Sequence, residues 1–170
     1  DMDQEQTALL SENESIMALQ KCATALHGFT NPKDISSFVM NMLREYYGSD
    51  FVCVLEINLD LDYWFMRWGS RDGCDDIEKA NIKQLLLPEE YTYYAKSWIV
   101  AFKRNQPILI EDVEAVKKKS PAEYQLYTRL EATSIMGFPF YKNSQGFVVV
   151  RNPKKHFGDI EIIKSGKGLY

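Results

Sequence analysis

Cysteine and histidine, the residues that build most metal and redox sites, are scarce in this chain. Its 170 residues hold three cysteines and two histidines. Cys22, Cys53 and Cys74 are odd in number, far apart and in no C-x-x-C pair, which argues against a disulfide framework and a structural zinc site and leaves reduced thiols as the expectation. His27 and His156 have no cysteine or carboxylate at metal-ligand spacing, so no metal is expected. Long apolar runs are missing too. Nothing approaches the roughly 18 to 20 consecutive apolar residues of a membrane span, and the opening DMDQEQTALL lacks the basic-then-apolar order of a signal peptide. A cytoplasmic location without membrane contact is expected. There is no excess of positive charge: 20 Lys and Arg against 24 Asp and Glu give a net charge of −4, which disfavours nucleic acid as a partner. No stretch rich in Pro, Gly or Ser divides the chain, and no internal repeat is present, so one main domain is expected. The first residue is Asp1 and not methionine, which suggests a piece of a longer protein.

What the chain does have is patterned apolar sequence, with 45% hydrophobic and 13% aromatic residues. Leu9, Ile16, Leu19, Ala23 and Leu26 fall on one stripe of a helix, interrupted at Glu12 and ended at Gly28. Ser11 and Glu14 either form a capping box for it or lie inside an earlier-starting helix. A second helix follows Asn31 and Pro32, burying Ile35, Phe38, Val39, Met42, Leu43 and Tyr46 and stopping at Gly48. FVCVLEIN (51–58) and YWFMRW (63–68), joined by LDLD, read as a strand hairpin, after which Gly69 and Gly73 open a loop. Pro88, Glu89 and Glu90 start a helix running through Tyr94, Trp98, Ile99 and Phe102. ILIEDV (108–113) is a short strand, and Ser120-Pro121 begins a helix carrying Tyr124, Tyr127 and Leu130. SIMGFPFYKNSQGFVVVRNP (134–153) is a second hairpin, and FGDIEIIKSG a shortened last helix. Adjacent strands joined by tight turns make an antiparallel sheet, so the fold class is an α+β sandwich.

FPFYKNSQGFVVVRNP resembles the terminal strand pair of GAF domains, where an apolar strand with a proline-containing end, a polar turn with glycine and a strand ending in Asn-Pro recur. QPILIEDVEAVKKKSPAEYQLY resembles the GAF segment in which a strand ending in an acidic turn and a helix begun by Ser-Pro lead to that hairpin. The resemblance covers residues 15–163. It implies a GAF-like, PAS-related central antiparallel sheet with helices on both faces over 15–165, a helical extension or linker over 1–14 and a tail over 166–170. The Asn-Pro ending looks most like GAF domains placed before diguanylate cyclase modules in bacterial signalling proteins. The Gly-Gly-Asp/Glu-Glu-Phe signature of such a cyclase is absent, so that output domain would lie elsewhere in a longer chain. The Asn-Lys…Phe…Asp-Glu pattern of cyclic-nucleotide-binding GAF domains is absent as well.

The GAF pocket lies between one face of the sheet and the helices and loops over it. By that resemblance Phe65, Tyr94, Trp98, Phe102, Tyr124 and Phe138 either wall a site for a planar or apolar ligand or simply fill the core. Strand alternation puts Arg67 on the face of Phe65, where it either clamps a carboxylate or phosphate or reaches water. Cys74 in SRDGCDDIE lacks the context of a bilin-attachment cysteine and reads as a loop thiol. The cysteine spacing also departs from that of free methionine sulfoxide reductases, enzymes of the same fold. Lys117–Lys119 and Lys154-Lys155-His156 are basic runs expected to be solvated. Ile16, Leu19, Ala23 and Leu26 either pair with a second copy in a homodimer or pack on their own sheet. The expected function is a non-catalytic sensory domain that binds an unidentified small molecule and modulates an attached output domain through connecting helices. A degenerate-pocket dimerisation and spacing element is the alternative, with a small reductase third.

Overall fold

The computed structural model describes residues 2–6, 32–58, 63–71, 96–141 and 145–165, with 2–6 helical. The expected helix over 9–26, the LDLD connector, Gly73, residues 88–95 and the glycines after 165 lie outside the described residues. Helix α1 (Pro32–Tyr47) opens on a proline, whose fixed φ and missing N–H suit a first turn. Val39, Met40, Leu43 and Tyr47 are buried at helical spacing. Gly48 ends it at φ 60°. Its N–H donates to Glu45 O (3.2 Å) and that of Ser49 to Arg44 O (2.9 Å), the paired bonds of a Schellman stop. Two more helices stop in the same way without glycine. After α2 (Lys96–Lys103) the left-handed residue is Asn105 (φ 52°), and Gln106 N donates to Ala101 O. Beyond α4 (Pro121–Arg129) it is Glu131 (φ 55°), and Ala132 N donates to Tyr127 O.

Among the described residues, five strands form one antiparallel sheet: β1 (Phe51–Asn58), β2 (Tyr63–Arg71), β3 (Ile108–Ile110), β4 (Ile135–Phe140) and β5 (Gly146–Arg151), in the spatial order β2-β1-β5-β4-β3. Both expected hairpins are present. Strand alternation then sorts the core into two layers. Val52, Val54, Met136, Phe138, Phe140, Val148 and Val150 face α1 and the last helix α5 (Glu161–Ser165). Phe51, Cys53, Ile135, Phe147 and Val149 face α2 and α4. Helices therefore cover both faces, as expected.

Three local expectations need correction. Gly69 does not open a loop: β2 continues to Arg71, with Gly69 opposite Cys53. β3 stops at Ile110, because the Asp112 side chain accepts the Glu114 N–H (3.0 Å) and starts a 3-10 turn (Val113–Ala115) where a strand was expected to continue. Lys117–Lys119 stand on a one-turn helix α3 (Val116–Lys119) and not in a loop, all three exposed.

The Asn-Pro ending of the hairpin has a mechanical role. Asn152 adopts φ 53°, and its Oδ1 accepts from Thr133 N (2.7 Å) and Ser134 N (3.2 Å) while its Nδ2 donates to Asp50 Oδ2 (3.1 Å) and Glu131 O (3.0 Å). Arg151 adds Nε to Asp50 Oδ1 (3.0 Å) and a guanidinium N–H to Leu130 O (2.9 Å). One short polar segment thus ties the end of β5 to the start of β1 and to the loop between α4 and β4. At the same end of the sheet, Asp159 caps α5 through the Glu161 N–H (3.2 Å) and receives the Tyr46 and Tyr47 hydroxyls on its carboxylate and carbonyl.

Candidate functional site

On the α2 side, Trp98 and Phe102 project inward because α2 buries one face only; Ser97, Val100 and Lys103 stay outside. The Trp98 ring lies over Gly137 of β4. A Cβ there would stand 2.9 and 3.1 Å from Trp98 Cζ3 and Cη2, closer than real Cβ contacts come, so the glycine makes the floor under the indole. Phe147 meets the indole edge-on, with centroids 4.9 Å apart at 73°. Phe102 sits between Tyr141 (4.5 Å) and Phe147 (6.1 Å).

A chain of hydrogen bonds crosses this apolar layer. Trp98 Nε1 donates to the Tyr127 hydroxyl (2.7 Å), Tyr127 donates to Glu123 Oε1, and Ser97 Oγ donates to the same oxygen (2.8 Å). The chain links α2 to α4 and carries a buried polar group out to solvent, which meets the requirement that buried donors be satisfied. Burial, reinforced by the Glu123 carboxylate, holds the Tyr127 phenol far above its usual range, so it is a neutral O–H at every working pH. Glu123 is placed by the turn before it: Ser120 caps α4 by accepting the Glu123 N–H (3.3 Å), the helix start that Ser120-Pro121 signals.

No family model matches this sequence, and no curated protein matches it. Solved structures do. A protein in its far-red absorbing dark state with bound biliverdin IXa superposes with a TM-score of 0.68 at 14% identity, over 89% of this chain and 94% of that one. GAF3 of a Synechocystis sp. PCC6803 protein, in its photoproduct state, has a TM-score of 0.61 at 14% identity, over 82% and 90%. The GAF domain of a phosphoenolpyruvate-protein phosphotransferase from Coxiella burnetii has a TM-score of 0.61 at 15% identity, over 92% and 88%. The fold is that of GAF domains.

Within the GAF fold the expected site residues separate. Trp98 and Phe102 lie together in the α2 layer. Tyr124 packs at its edge and turns outward: its hydroxyl donates to Glu114 Oε1 (2.8 Å), and Lys117 Nζ stands 5.3 Å from its ring centroid. Phe138 is on the opposite face of the sheet from Trp98. It packs with α1 and α5, and the thickness of the sheet separates it from Trp98, because its neighbour Gly137 takes the position beneath the indole. Arg67 falls at the β1–β2 register shift, where Val54 and Leu55 pair with Trp68 and Met66, so alternation from Phe65 does not carry across it. Tyr94 and Cys74 lie outside the described residues, as do Ile16, Leu19, Ala23 and Leu26.

Sequence reasoning missed Gly137, Phe147, Tyr127 and Glu123 as site residues. Phe147 stands ten residues after Gly137 in the very hairpin the pattern identified, and Glu123 stands one turn before Tyr127, a spacing at which polar side chains meet.

Cys53 shares this layer and is buried. Burial pushes its thiol up from 9.0 to about 12, against a smaller opposing pull from Arg151. A folded pKa above the unfolded one favours the folded state fully below about pH 9 and loses that contribution as pH climbs toward 12. Iodoacetamide at pH 8 is expected to leave the Cys53 peptide unlabelled in native protein and to label it promptly in urea, read by mass mapping. Urea midpoints should fall between pH 8 and pH 10. Native labelling at the unfolded rate would contradict this burial.

Proposed function

We propose that this chain is a non-catalytic sensory or regulatory GAF domain that takes a small molecule on the α2–α4 face of its sheet. The observation that carries the reading is the aromatic layer over Gly137 with a fixed polar chain, Tyr127–Glu123–Ser97, running through it. An apolar wall with a few oriented polar groups is how small-molecule sites select their ligands. Occupancy would bias the helices that lead out of the domain and so modulate an attached output domain. In this proposal the domain works in the cytoplasm of a bacterium, as a homodimer through Ile16, Leu19, Ala23 and Leu26, ahead of a diguanylate cyclase that makes cyclic-di-GMP. The Asn-Pro style of the hairpin supports that last step; the latch around Asn152 also gives those residues a role inside the domain.

One observation favours the second reading, a spacing element with a degenerate pocket: the Trp98 N–H already has a partner in Tyr127. Heating the protein against a panel of metabolites, nucleotides and biliverdin separates the two. A ligand at 100 times its dissociation constant adds about 2.7 kcal/mol of stability. For a domain of this size the melting midpoint then rises by roughly 5 to 10 °C. A saturable rise for one chemical class is expected. Flat curves in a protein that sediments as a dimer would replace the sensor with the spacing element.

A further inference from the structure

Within that sensory reading, we infer that the Trp98 side chain is a tethered occupant of the ligand site, and that the ligand displacing it is a planar heteroaromatic carrying an N–H donor. The inference rests on three surfaces that meet the indole among the described residues. Gly137 leaves the floor flat, and a single methyl group there would come within 2.9 Å of the ring. The wall is Phe147, set edge-on at 73° in the arrangement aromatic rings prefer. The third surface is an oriented acceptor. Tyr127 has one hydroxyl proton, and Glu123 takes it, held in place by Ser97. Toward the indole the phenol oxygen can therefore only accept, and the 2.7 Å bond from Trp98 Nε1 uses that capacity. A carbonyl-bearing ligand would meet an acceptor with no proton to offer. An N–H-bearing ring would meet the complement of its own edge.

These three surfaces read shape and N–H, and nothing in them requires the indole to belong to the chain. A tethered group competes at an effective concentration in the millimolar range, so a free ligand binds more weakly than the bare site would allow. Removing the tethered ring is thus expected to expose the site.

The test uses Trp98→Ala with indole as the probe and N-methylindole as the same ring without the donor. Apolar cavities left by such truncations take up small aromatics. Indole should raise the melting midpoint of Trp98→Ala saturably, with an affinity about tenfold or more above that for wild type, and N-methylindole should bind about tenfold more weakly, the loss of one buried hydrogen bond. Equal gains from both compounds, or none from either, overturn the inference. If Trp98→Ala does not fold even with indole, wild-type protein labelled with 5-fluorotryptophan decides. Its three tryptophans give three fluorine resonances, and Trp98→Phe identifies the one of interest. Indole at millimolar concentration should shift that resonance saturably; an unmoved resonance overturns the inference. Failure of the sensory reading looks different: a flat ligand panel alongside indole rescue leaves a site permanently closed by its own tryptophan. A panel ligand that binds without moving the Trp98 resonance keeps the sensor and removes the tethered occupant.

Discussion

Phe138→Ala is expected to cost about 3 to 5 kcal/mol of unfolding free energy and to leave the Trp98 site undisturbed. The cost follows from its layer. Phe138 is buried in the cluster that also holds Val39, Met40, Leu43, Tyr47, Val148 and Ile163, drawn from α1, α5 and the sheet, so truncation leaves a cavity in a layer built by several elements. The indifference of the site follows from the pleat. Side chains at successive strand positions leave opposite faces, and Gly137 has already taken the Trp98 side. A neighbouring change makes the contrast. Gly137→Ala adds one methyl group where the indole rests and must lift the ring or shift α2. In 5-fluorotryptophan protein, the Trp98 resonance should stay in place for Phe138→Ala and move for Gly137→Ala, while urea denaturation gives the larger loss to Phe138→Ala. A Trp98 resonance that moves equally in both variants would show that the two layers are not separated as the strand register requires.

That contrast marks how far the sequence could be read. Alternating and helical apolar periods are local properties, and they located α1, β1, the second hairpin and the Ser120-Pro121 helix start within a residue or two, while β2 runs three residues past its expected end. The grouping of the candidate site residues was not legible at points where a non-local choice decides. Phe138 and Gly137 are adjacent in a continuously apolar strand buried on both faces, IMGFPF, and such a run carries no alternation to say which side each residue takes. Arg67 was placed by counting twos along β2, and a register shift resets that count without any glycine to announce it. The helix stops at Asn105 and Glu131 were equally silent. Both use the left-handed region that glycine occupies at Gly48, and Glu131 lacks the short polar side chain that makes asparagine tolerable there. Its position is held by what surrounds it: its carbonyl accepts from Asn152 Nδ2 (3.0 Å), a contact twenty-one residues away in the chain. Tyr127 was visible as a helix-face residue. Its role as an acceptor aimed at Trp98 depends on α2 packing beside α4, which neither helix encodes alone.

Gly146→Ala is expected to be among the most damaging single-methyl additions in the sheet, with a loss of about 3 kcal/mol or more. Gly146 begins β5 and is opposite Glu56 on one side and Phe140 on the other, so it is closed in by both neighbouring strands. A Cβ placed on it would stand 1.9 Å from the Leu55 carbonyl oxygen, 2.8 Å from Glu56 Cα and 2.9 Å from Leu55 C. All three are backbone atoms of β1. A flexible side chain can swing away from an added methyl group at little cost, whereas here β1 itself must move, just where its pairing with β2 shifts register between Val54 and Leu55. That movement would stretch the β1–β5 ladder, which joins the two hairpins into one sheet. Gly158→Ala supplies the comparison. Gly158 has φ 86° with nothing within 4 Å of an added Cβ, so only the left-handed conformation is penalised, by about 1 kcal/mol. Urea denaturation of the two variants, with unchanged m-values, should separate them by about 2 kcal/mol. Equal losses would mean that β1 yields freely at Leu55, and the close approach that places Gly146 in the hairpin would not be what fixes its register.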